Sequence, residues 1–254
     1  NAAAARIERG ELARAPEAEL ELRSTIGTTF RELALYDEAA KMLAPAVPLA
    51  RSLNSGDSEA TADAVGSLAQ LLNDRGELEA AEPLYREALA MDQRLFPGDD
   101  ARVATDLNNL SQVLADKGDI AAAEPLAREA LAMRRRLYPG DHEEVAESLN
   151  NLGGLVGGPH GRGDLPGGIA LFREALAMSR RLYPGDHPRV AGGLNNLSVL
   201  LKNSGDLAAA EPLARETLEM RRRLFPGDHP YVATGLNNLA LVLQKRGDLV
   251  ATEA

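Results

Sequence analysis

Residues Leu107–Leu110 read Leu-Asn-Asn-Leu, and this motif decides the fold. It returns at residues 149–152, 194–197 and 236–239. The first leucines of successive copies are 42, 45 and 42 residues apart. A self-similar period of this size is the signature of a repeat array, in which each unit covers an apolar face of its neighbour. We therefore expect a repeat architecture rather than one globular core.

The composition favours helices and narrows the range of functions. Of the 254 residues, 44% are hydrophobic but only 4% are aromatic, and the apolar positions are mostly alanine and leucine, both strong helix formers. No Cys is present, which excludes disulfides and thiolate metal sites. No apolar run approaches the roughly 18 residues that would cross a membrane, so we expect no membrane association. The net charge of −10 disfavours nucleic-acid binding, which needs a basic surface.

Glycines mark the turn inside each repeat, and Pro-Gly-Asp marks the turn between repeats. The inner glycines are Gly76, Gly118, Gly163, Gly205 and Gly247. Glycine tolerates the left-handed backbone that ends many helices, and the acidic residue after it can cap the next helix. Pro-Gly-Asp occupies 97–99, 139–141, 184–186 and 226–228, and we expect its Asp to cap the following helix. The pattern predicts a first and a second helix in each repeat, joined by short links.

Aligning these motifs arranges residues 1–254 as a single solenoid. Its segments are a partial N-terminal helix at 1–16, a degenerate repeat at 17–57, repeats at 58–99 and 100–141, an irregular repeat at 142–186, a repeat at 187–228 and a truncated repeat at 229–254. Residue 1 is Asn rather than Met, so we expect a fragment of a longer chain. Without a polar capping helix at either end, the truncated last repeat is expected to expose an apolar face.

The irregular repeat carries an insertion rich in glycine and proline at 153–168. Inside a helix, glycine costs about 1 kcal/mol and proline about 3 kcal/mol relative to alanine. This stretch is therefore expected to fray the end of one helix and the start of the next. It is either a hinge between two halves of the array or a degenerate stretch of sequence.

Residues with catalytic chemistry follow the repeat rather than forming a site. His142, His187 and His229 occupy one position in successive repeats. Neighbouring repeats lie roughly 10 Å apart, too far for these imidazoles to share a metal ion, so we interpret them as turn residues. No Cys–His pair and no nucleophile-elbow serine occurs, and we predict a protein that is not an enzyme and uses no cofactor or metal. Arginine runs are interpreted as cations that complement the negative ends of second helices; they lie at 134–136, 180–181 and 221–223.

Residues 107–146 resemble the long-period tetratricopeptide repeat of kinesin light chains and their bacterial relatives. The matching features are Leu-Asn-Asn-Leu, the glycine between helices, Ala-Glu-Pro-Leu, Ala-Leu and the closing Pro-Gly-Asp-His. HEAT-type repeats have a similar period but lack the Gly-Asp-x-x-x-Ala turn, and propeller blades fit poorly with an alanine-rich helical pattern. The resemblance implies an all-α, right-handed superhelical solenoid of antiparallel helix pairs.

The resemblance also implies a binding surface. In such arrays the first helices line a concave groove, and the first Asn of each pair points into it. A carboxamide both donates and accepts hydrogen bonds, so it can bind the backbone of an extended peptide of any sequence. Residues one and two turns further along share that face of the helix. The peptide-binding residues predicted in this way are Asn108, Gln112, Asn150, Asn195, Val199, Lys202, Asn203, Asn237, Leu241 and Lys245.

We therefore predict a non-catalytic, cytoplasmic scaffold that binds a protein or peptide of unknown identity. Apolar and basic residues toward the C-terminal end, such as Val199 and Lys202, predict a partner segment with an apolar and an acidic residue. Two alternatives stay open. One is a structural module that self-associates through its uncapped solenoid ends, and the other is a regulatory region cut from a larger signalling protein.

Overall fold

The described part of the chain is built from α-helices and contains no strand, which confirms the predicted all-α class. The computed structural model describes residues 4, 6–7, 9–159 and 161–247. The chain divides into two compact units, residues 1–119 and 120–254. Unit 1 contains α1 (Pro16–Glu32), α2 (Tyr36–Leu53), α3 (Glu59–Asp74), α4 (Leu78–Leu95) and α5 (Ala101–Asp116). Unit 2 contains α6 (Ile120–Leu137), α7 (Glu143–Gly157), α8 (Leu165–Leu182), α9 (Pro188–Ser204), α10 (Leu207–Leu224) and α11 (Pro230–Arg246).

The odd-numbered helices are the first helices of the repeats, and the even-numbered helices are the second. In unit 1, Val65 of α3 is fully buried and packs with Ala46 and Val47 of α2 and with Ala88 of α4. Alanines at these contacts let the helices approach closely, which explains the alanine-rich composition. Burying a side chain such as that of Val65 stabilises the fold by about 1.5–3 kcal/mol.

In unit 2 a leucine takes the place of Val65. Leu194 and Leu197, the two leucines of a Leu-Asn-Asn-Leu motif, are buried in one cluster with Leu176 of α8 and Ala214 of α10. The motif therefore places its leucines in the core and leaves its two asparagines at the side of the first helix. Because the motif repeats, the asparagines of successive first helices come into register.

One contact between the paired helices is fixed by complementary size. Gly153 of α7 faces Phe172 of α8, and a Cβ atom at residue 153 would lie 2.9 Å from the Phe172 ring. At the equivalent position of the next repeat, Ser198 stands in its place and donates a hydrogen bond to the Ala210 carbonyl oxygen at 2.9 Å. A glycine thus accompanies a large partner, and a serine accompanies a small one.

The helix caps correct one prediction from the sequence. The Asp of Pro-Gly-Asp does not cap the next first helix; the residue after it does. His142, His187 and His229 each accept a hydrogen bond at Nδ1 from a backbone N–H two residues later. The prediction that acids after the inner glycine cap second helices is confirmed for Asp164 and Asp206.

The aspartates of the Pro-Gly-Asp turns form ion pairs with arginines of the arginine runs. The Arg181 guanidinium donates two hydrogen bonds to the Asp141 carboxylate, at 2.6 and 2.7 Å, and Arg223 binds Asp186 in the same bidentate manner. The neighbouring Arg180 donates to Glu216 at 2.6 Å. These arginines therefore join successive repeats, beyond the predicted interaction with the helix ends. Arg134 and Arg221 differ from them, because both are buried.

The helices on both sides of the glycine- and proline-rich insertion keep their ends, and the expectation of frayed helices is wrong. Helix α7 continues to Gly157, and α8 begins at Leu165 with Gly168 in its first turns. A Cβ atom at residue 168 would lie 2.6 Å from the Gly157 Cα atom, so these glycines permit a close approach of two backbones. Backbone hydrogen bonds from Arg162 to Leu155 and from Asp164 to Val156 fasten the connection. His160, to which the sequence assigns no role, lies outside the described residues.

The last described helix presents apolar side chains to solvent. Leu236 of α11 is 45% exposed, whereas the equivalent Leu149 and Leu194 are fully buried. Tyr231 and Leu241 of the same helix are also exposed. Residues 248–254, where the sequence predicts the start of another second helix, lie outside the described residues. Within the described part of the chain, we find no helix that is long and apolar enough to span a membrane.

Candidate functional site

Asparagine side chains of successive first helices form a hydrogen-bonded ladder in unit 2. The Asn196 Nδ2 atom donates to Asn150 Oδ1 at 3.0 Å, and Asn238 Nδ2 donates to Asn195 Oδ1 at 2.8 Å. In these two pairs the second Asn of one motif bonds to the first Asn of the motif before it. We call Asn150, Asn195, Asn196 and Asn238 the amide ladder. Because a carboxamide has two N–H donors and two acceptor lone pairs, each of these bonds uses only part of its capacity.

The two predicted site residues of unit 1 are not both available to a ligand. Asn108 is only 7% exposed, so its side chain does not line an open surface as expected. Gln112 is exposed, and its Nε2 atom donates to Asp116 Oδ1 at 2.9 Å on the same helix. In this unit the second asparagine, Asn109, borders a groove instead.

The remaining predicted residues lie on α9 and α11 of unit 2. Val199 and Lys202 are half-buried, and Asn203 and Asn237 are exposed. The exposed Lys245 ammonium donates to the Lys202 carbonyl oxygen at 2.9 Å. Leu241, the last of the set, is exposed one turn before Lys245. Polar and apolar groups therefore alternate along this surface.

A groove in unit 2 runs beside the amide ladder, between α7, α8 and α9. It encloses about 180 Å³ and is lined by Asn150 and Asn196 of the ladder and by Gly192 and Gly193. We call it the glycine groove. At its rim, the Tyr183 hydroxyl donates to Glu143 Oε2 at 2.6 Å, and this hydrogen bond raises the pKa of Tyr183.

Unit 1 has an equivalent groove between α3, α4 and α5, with different chemistry. It encloses about 290 Å³ and is lined by Asp63, Asp92, Arg102 and Asp106, among others. We call it the acidic groove. Arg102 Nε lies 3.2 Å from Asp92 Oδ2, and Arg102 Nη2 lies 2.5 Å from Asp63 Oδ1. Burial and the neighbouring Asp92 charge raise the pKa of Asp106 to about 7.

Both grooves contain one position on the second helix that is polar and buried in each of the four repeats between residues 58 and 228. Its occupants are Asp92, Arg134, Ser179 and Arg221. Each bonds to, or lies beside, the first helix of the next repeat. Arg134 Nη1 donates to Ser148 Oγ at 2.9 Å, and Arg221 Nη1 donates to the Tyr231 carbonyl oxygen at 3.0 Å. This position sets the chemistry between neighbouring repeats.

The sequence contained a signal for this position that we did not use. Leu89, Leu131, Leu176 and Leu218 occupy one position of the second helices and keep their type, whereas residues 92, 134, 179 and 221 change between acid, base and hydroxyl on a helix face that is otherwise apolar. A polar residue on a core face indicates a buried network or a site. Comparison of the second helices position by position would have identified it.

The matches to known proteins agree with this architecture. Two family models, both described as tetratricopeptide repeat, match residues 18–94 in one case and 103–144, 160–189 and 190–231 in the other. Together they cover about three quarters of the chain. A search of curated proteins finds no match.

Solved structures share the fold at low sequence identity. BtubC (BKLC) from P. vanneervenii is 24% identical with a TM-score of 0.68, and the match covers 94% of this chain and 87% of that one. A putative kinesin light chain with nearly identical repeats from Podosopora anserina is 13% identical with a TM-score of 0.68, over 82% and 97% of the two chains. The APC/C hetero-tetramer Cut9-Hcn1 contains a chain that is 19% identical with a TM-score of 0.66, over 96% and 40%. The shared fold supports a protein–protein interaction scaffold.

Proposed function

This chain belongs to the tetratricopeptide repeat family, and from that premise we propose that it binds an extended segment of a protein partner along its asparagine-bearing first helices. The amide ladder is the observation that carries the proposal. It aligns carboxamides along unit 2 at the spacing of the repeats, and each amide retains hydrogen-bonding capacity. An extended backbone offers donors and acceptors to such a row whatever its side chains are.

The neighbouring residues favour a particular type of segment. Beyond the ladder, Val199 and Leu241 offer apolar contacts, and Lys202 and Lys245 bring positive charge to the ends of α9 and α11. A segment with an apolar and an acidic residue would complement this surface. No catalytic step is proposed, because the family and its structural neighbours are in general non-catalytic scaffolds.

A displayed library of unstructured peptides, selected on the full chain, tests the proposal. Binding of the selected peptides is then compared between the wild type and a variant that combines Asn150→Ala with Asn237→Ala. We expect at least a tenfold loss of affinity, because each lost amide hydrogen bond contributes about 1 kcal/mol. Arg215→Ala, an exposed change on the second helix α10, is the matched control and should leave binding unchanged. Equal losses in both variants would contradict binding at the first helices.

We keep self-association as a second proposal because α11 exposes the apolar side chains of Tyr231, Leu236 and Leu241. Exposed apolar side chains favour contact with another apolar surface. Light scattering over a range of concentrations tests this, with Leu236→Gln and Leu241→Gln as the variant. A mass that grows with concentration in the wild type and stays constant in the variant supports it, and a constant mass in both rejects it.

A further inference from the structure

The acidic groove holds more negative than positive charge. Three carboxylates, those of Asp63, Asp92 and Asp106, surround a single guanidinium, that of Arg102. Arg102 contacts Asp63 and Asp92, and Asp106 lines the same groove, where burial and the Asp92 charge raise its pKa. Two buried carboxyl groups beside each other do not both stay ionised unless a cation or a proton lies with them.

One carboxylate in the groove is incompletely satisfied. Asp92 is only 3% exposed, and it lines the groove from α4. Its Oδ1 atom is buried and has no hydrogen-bond partner among the described residues, and the same is true of Asp106 Oδ2. A buried polar atom without a partner is unfavourable, so a donor that enters the groove and bonds to it is stabilised.

The dimensions of the groove suit an organic cation. It encloses about 290 Å³, and the carboxamides of Gln70 and Asn109 stand at its wall beside the acids. No three acidic or histidine side chains of the described residues are arranged to hold a metal ion. A guanidinium is planar and presents five N–H donors in a fork, so it can bind carboxylates that are too far apart for one metal ion.

We propose that the acidic groove binds the guanidinium of an arginine side chain that the partner segment contributes, and that this cation replaces the proton held between Asp92 and Asp106. The inference rests on the proposed partner binding and names one feature of the partner. Asp63 and Asp106 would receive the fork of the guanidinium, while Arg102 keeps its bond to Asp92. The proton leaves to solvent, because a cation beside a carboxyl group favours its ionised form.

The proposal predicts a link between binding and pH. Arginine stays charged throughout, so the pH dependence comes from the groove and is assigned to Asp106. The charged groups that face this pair are Asp63 from α3 and Arg102 from α5. With a pKa of about 7 for Asp106, the affinity for an arginine probe should rise about tenfold from pH 6 to pH 8.

The test uses the full chain and the probe acetyl-Ala-Arg-Ala-amide. Its uncharged counterpart, with citrulline in place of arginine, has almost the same shape. We expect the arginine probe to shift the side-chain amide NMR signals of Gln70 and Asn109, and the citrulline probe to bind at least tenfold more weakly. Calorimetry at pH 6 in phosphate and in an amine buffer should give different heats, because close to one proton is released for each probe bound.

Two variants locate the site. Asp106→Asn keeps the shape of the side chain and should abolish the pH dependence and lower the affinity at least tenfold. Asp63→Asn changes an exposed side chain, and it should lower the affinity for the arginine probe without affecting the fold. Glu147→Gln, the equivalent change in the glycine groove, is the matched control and should have no effect. Three outcomes would overturn the inference. They are equal shifts of the amide signals with both probes, no shift of the Gln70 or Asn109 signal, and unchanged binding of the arginine probe by Asp106→Asn. The peptide selection above is independent of these results and tests the partner-binding surface itself.

Discussion

The acidic groove of unit 1 and the glycine groove of unit 2 lie at the same repeat positions but differ in the side chains that line them. Asp92 and Asp106 of the first correspond to Ser179 and Gly193 of the second. Both grooves have an arginine at the same position, Arg102 in the acidic groove and Arg189 in the glycine groove. The repeat therefore fixes where a groove lies, and only a few side chains decide what the groove holds.

The ion pair between a second helix and the next first helix also varies while the fold stays the same. In unit 1 the acid, Asp92, is on the second helix and the base, Arg102, is on the next first helix. In unit 2 the base, Arg134, is on the second helix and the acid, Glu144, is on the next first helix. The ion pair is reversed while the helices keep their places. The array thus tolerates a buried charge at this position when the next first helix supplies a partner for it, which is an ionic group for Asp92 and Arg134 and the Tyr231 carbonyl oxygen for Arg221.

The largest effect is expected when that pairing is broken. Arg102→Glu would leave Asp63, Asp92, Asp106 and the new carboxylate without a cation, and we expect the full chain to lose about 3 kcal/mol of unfolding free energy. Adding Asp92→Arg recreates the order found at Arg134 and Glu144. The double variant should recover most of the loss. Urea unfolding followed by circular dichroism measures both.

The glycine groove provides the control for this experiment. Arg189 is exposed and lies 3.7 Å from Glu147 and 3.8 Å from Glu143, at the distances of a loose surface pair. Arg189→Glu should therefore cost less than about 1 kcal/mol. If both charge reversals destabilise the chain equally, the two grooves do not differ in buried charge as described.

The next effect is a dependence of stability on pH that only the acidic groove contributes. Burial raises the pKa of Asp106 from an ordinary value of 3.8 to about 7, so the folded protein keeps a proton that the unfolded chain releases. Stability from this group is complete below about pH 4 and is lost as the pH rises toward 7. We expect a loss of about 2 kcal/mol, less than for full burial because the groove admits water.

Asp106→Asn separates this term from all other titrations. The difference in unfolding free energy between the wild type and the variant should change by that amount between pH 4 and pH 8, in favour of the variant at high pH. Asp116→Asn, a change to an exposed acid on the same helix, is the matched control. A flat difference for Asp106→Asn would contradict the raised pKa.

A smaller effect concerns the fit between paired helices in unit 2. Gly153→Ala would place a methyl group 2.9 Å from the Phe172 ring, and we expect it to cost about 1–2 kcal/mol. The adjacent Gly154 has nothing within 4 Å of such a methyl group. Gly154→Ala should instead stabilise α7 by about 0.5–1 kcal/mol. Thermal unfolding of the two variants gives the comparison, and a shift of both in the same direction would contradict it.

The smallest effect distinguishes the ladder of unit 2 from the matching position in unit 1. Asn196→Ala removes the hydrogen bond to Asn150 and should cost about 1 kcal/mol. Asn109 occupies the same position in unit 1, but the residue that corresponds to Asn150 there is Gly66, which has no side chain to accept a bond. Asn109→Ala should therefore cost less. Chemical denaturation of the two single variants measures the difference, and equal costs would show that the ladder bond contributes little.

The sequence predicted the helical repeat well because period, glycine turns and apolar spacing are local properties. It failed where the outcome depends on which side chains meet. The caps were assigned to the Asp of Pro-Gly-Asp, but His142 and its equivalents take that role because the turn places the Asp beside an arginine of the adjacent second helix. The insertion was expected to fray, and close packing of Gly157 against Gly168 holds it instead.

The candidate site shows the same division. The motif indicates the asparagines as the polar edge of the first helices and the second Asn as the one that bonds between repeats, which is confirmed for Asn196, yet it does not tell that Asn108 is buried. The acidic groove was missed because Asp92, Arg102 and Asp106 belong to two helices, and only tertiary packing brings them together. Even so, the change of residue type among positions 92, 134, 179 and 221 indicates a polar position on an otherwise apolar helix face.

The central claim is that partners bind at the first helices, and hydrogen exchange tests it most directly. The full chain is compared with and without a saturating peptide from the library selection, and exchange is followed helix by helix by mass spectrometry. We predict slower exchange in the first helices α7, α9 and α11, with the second helices α8 and α10 unchanged. Protection confined to α8 and α10 would contradict the account, because it would place the partner on the opposite helices of the repeats.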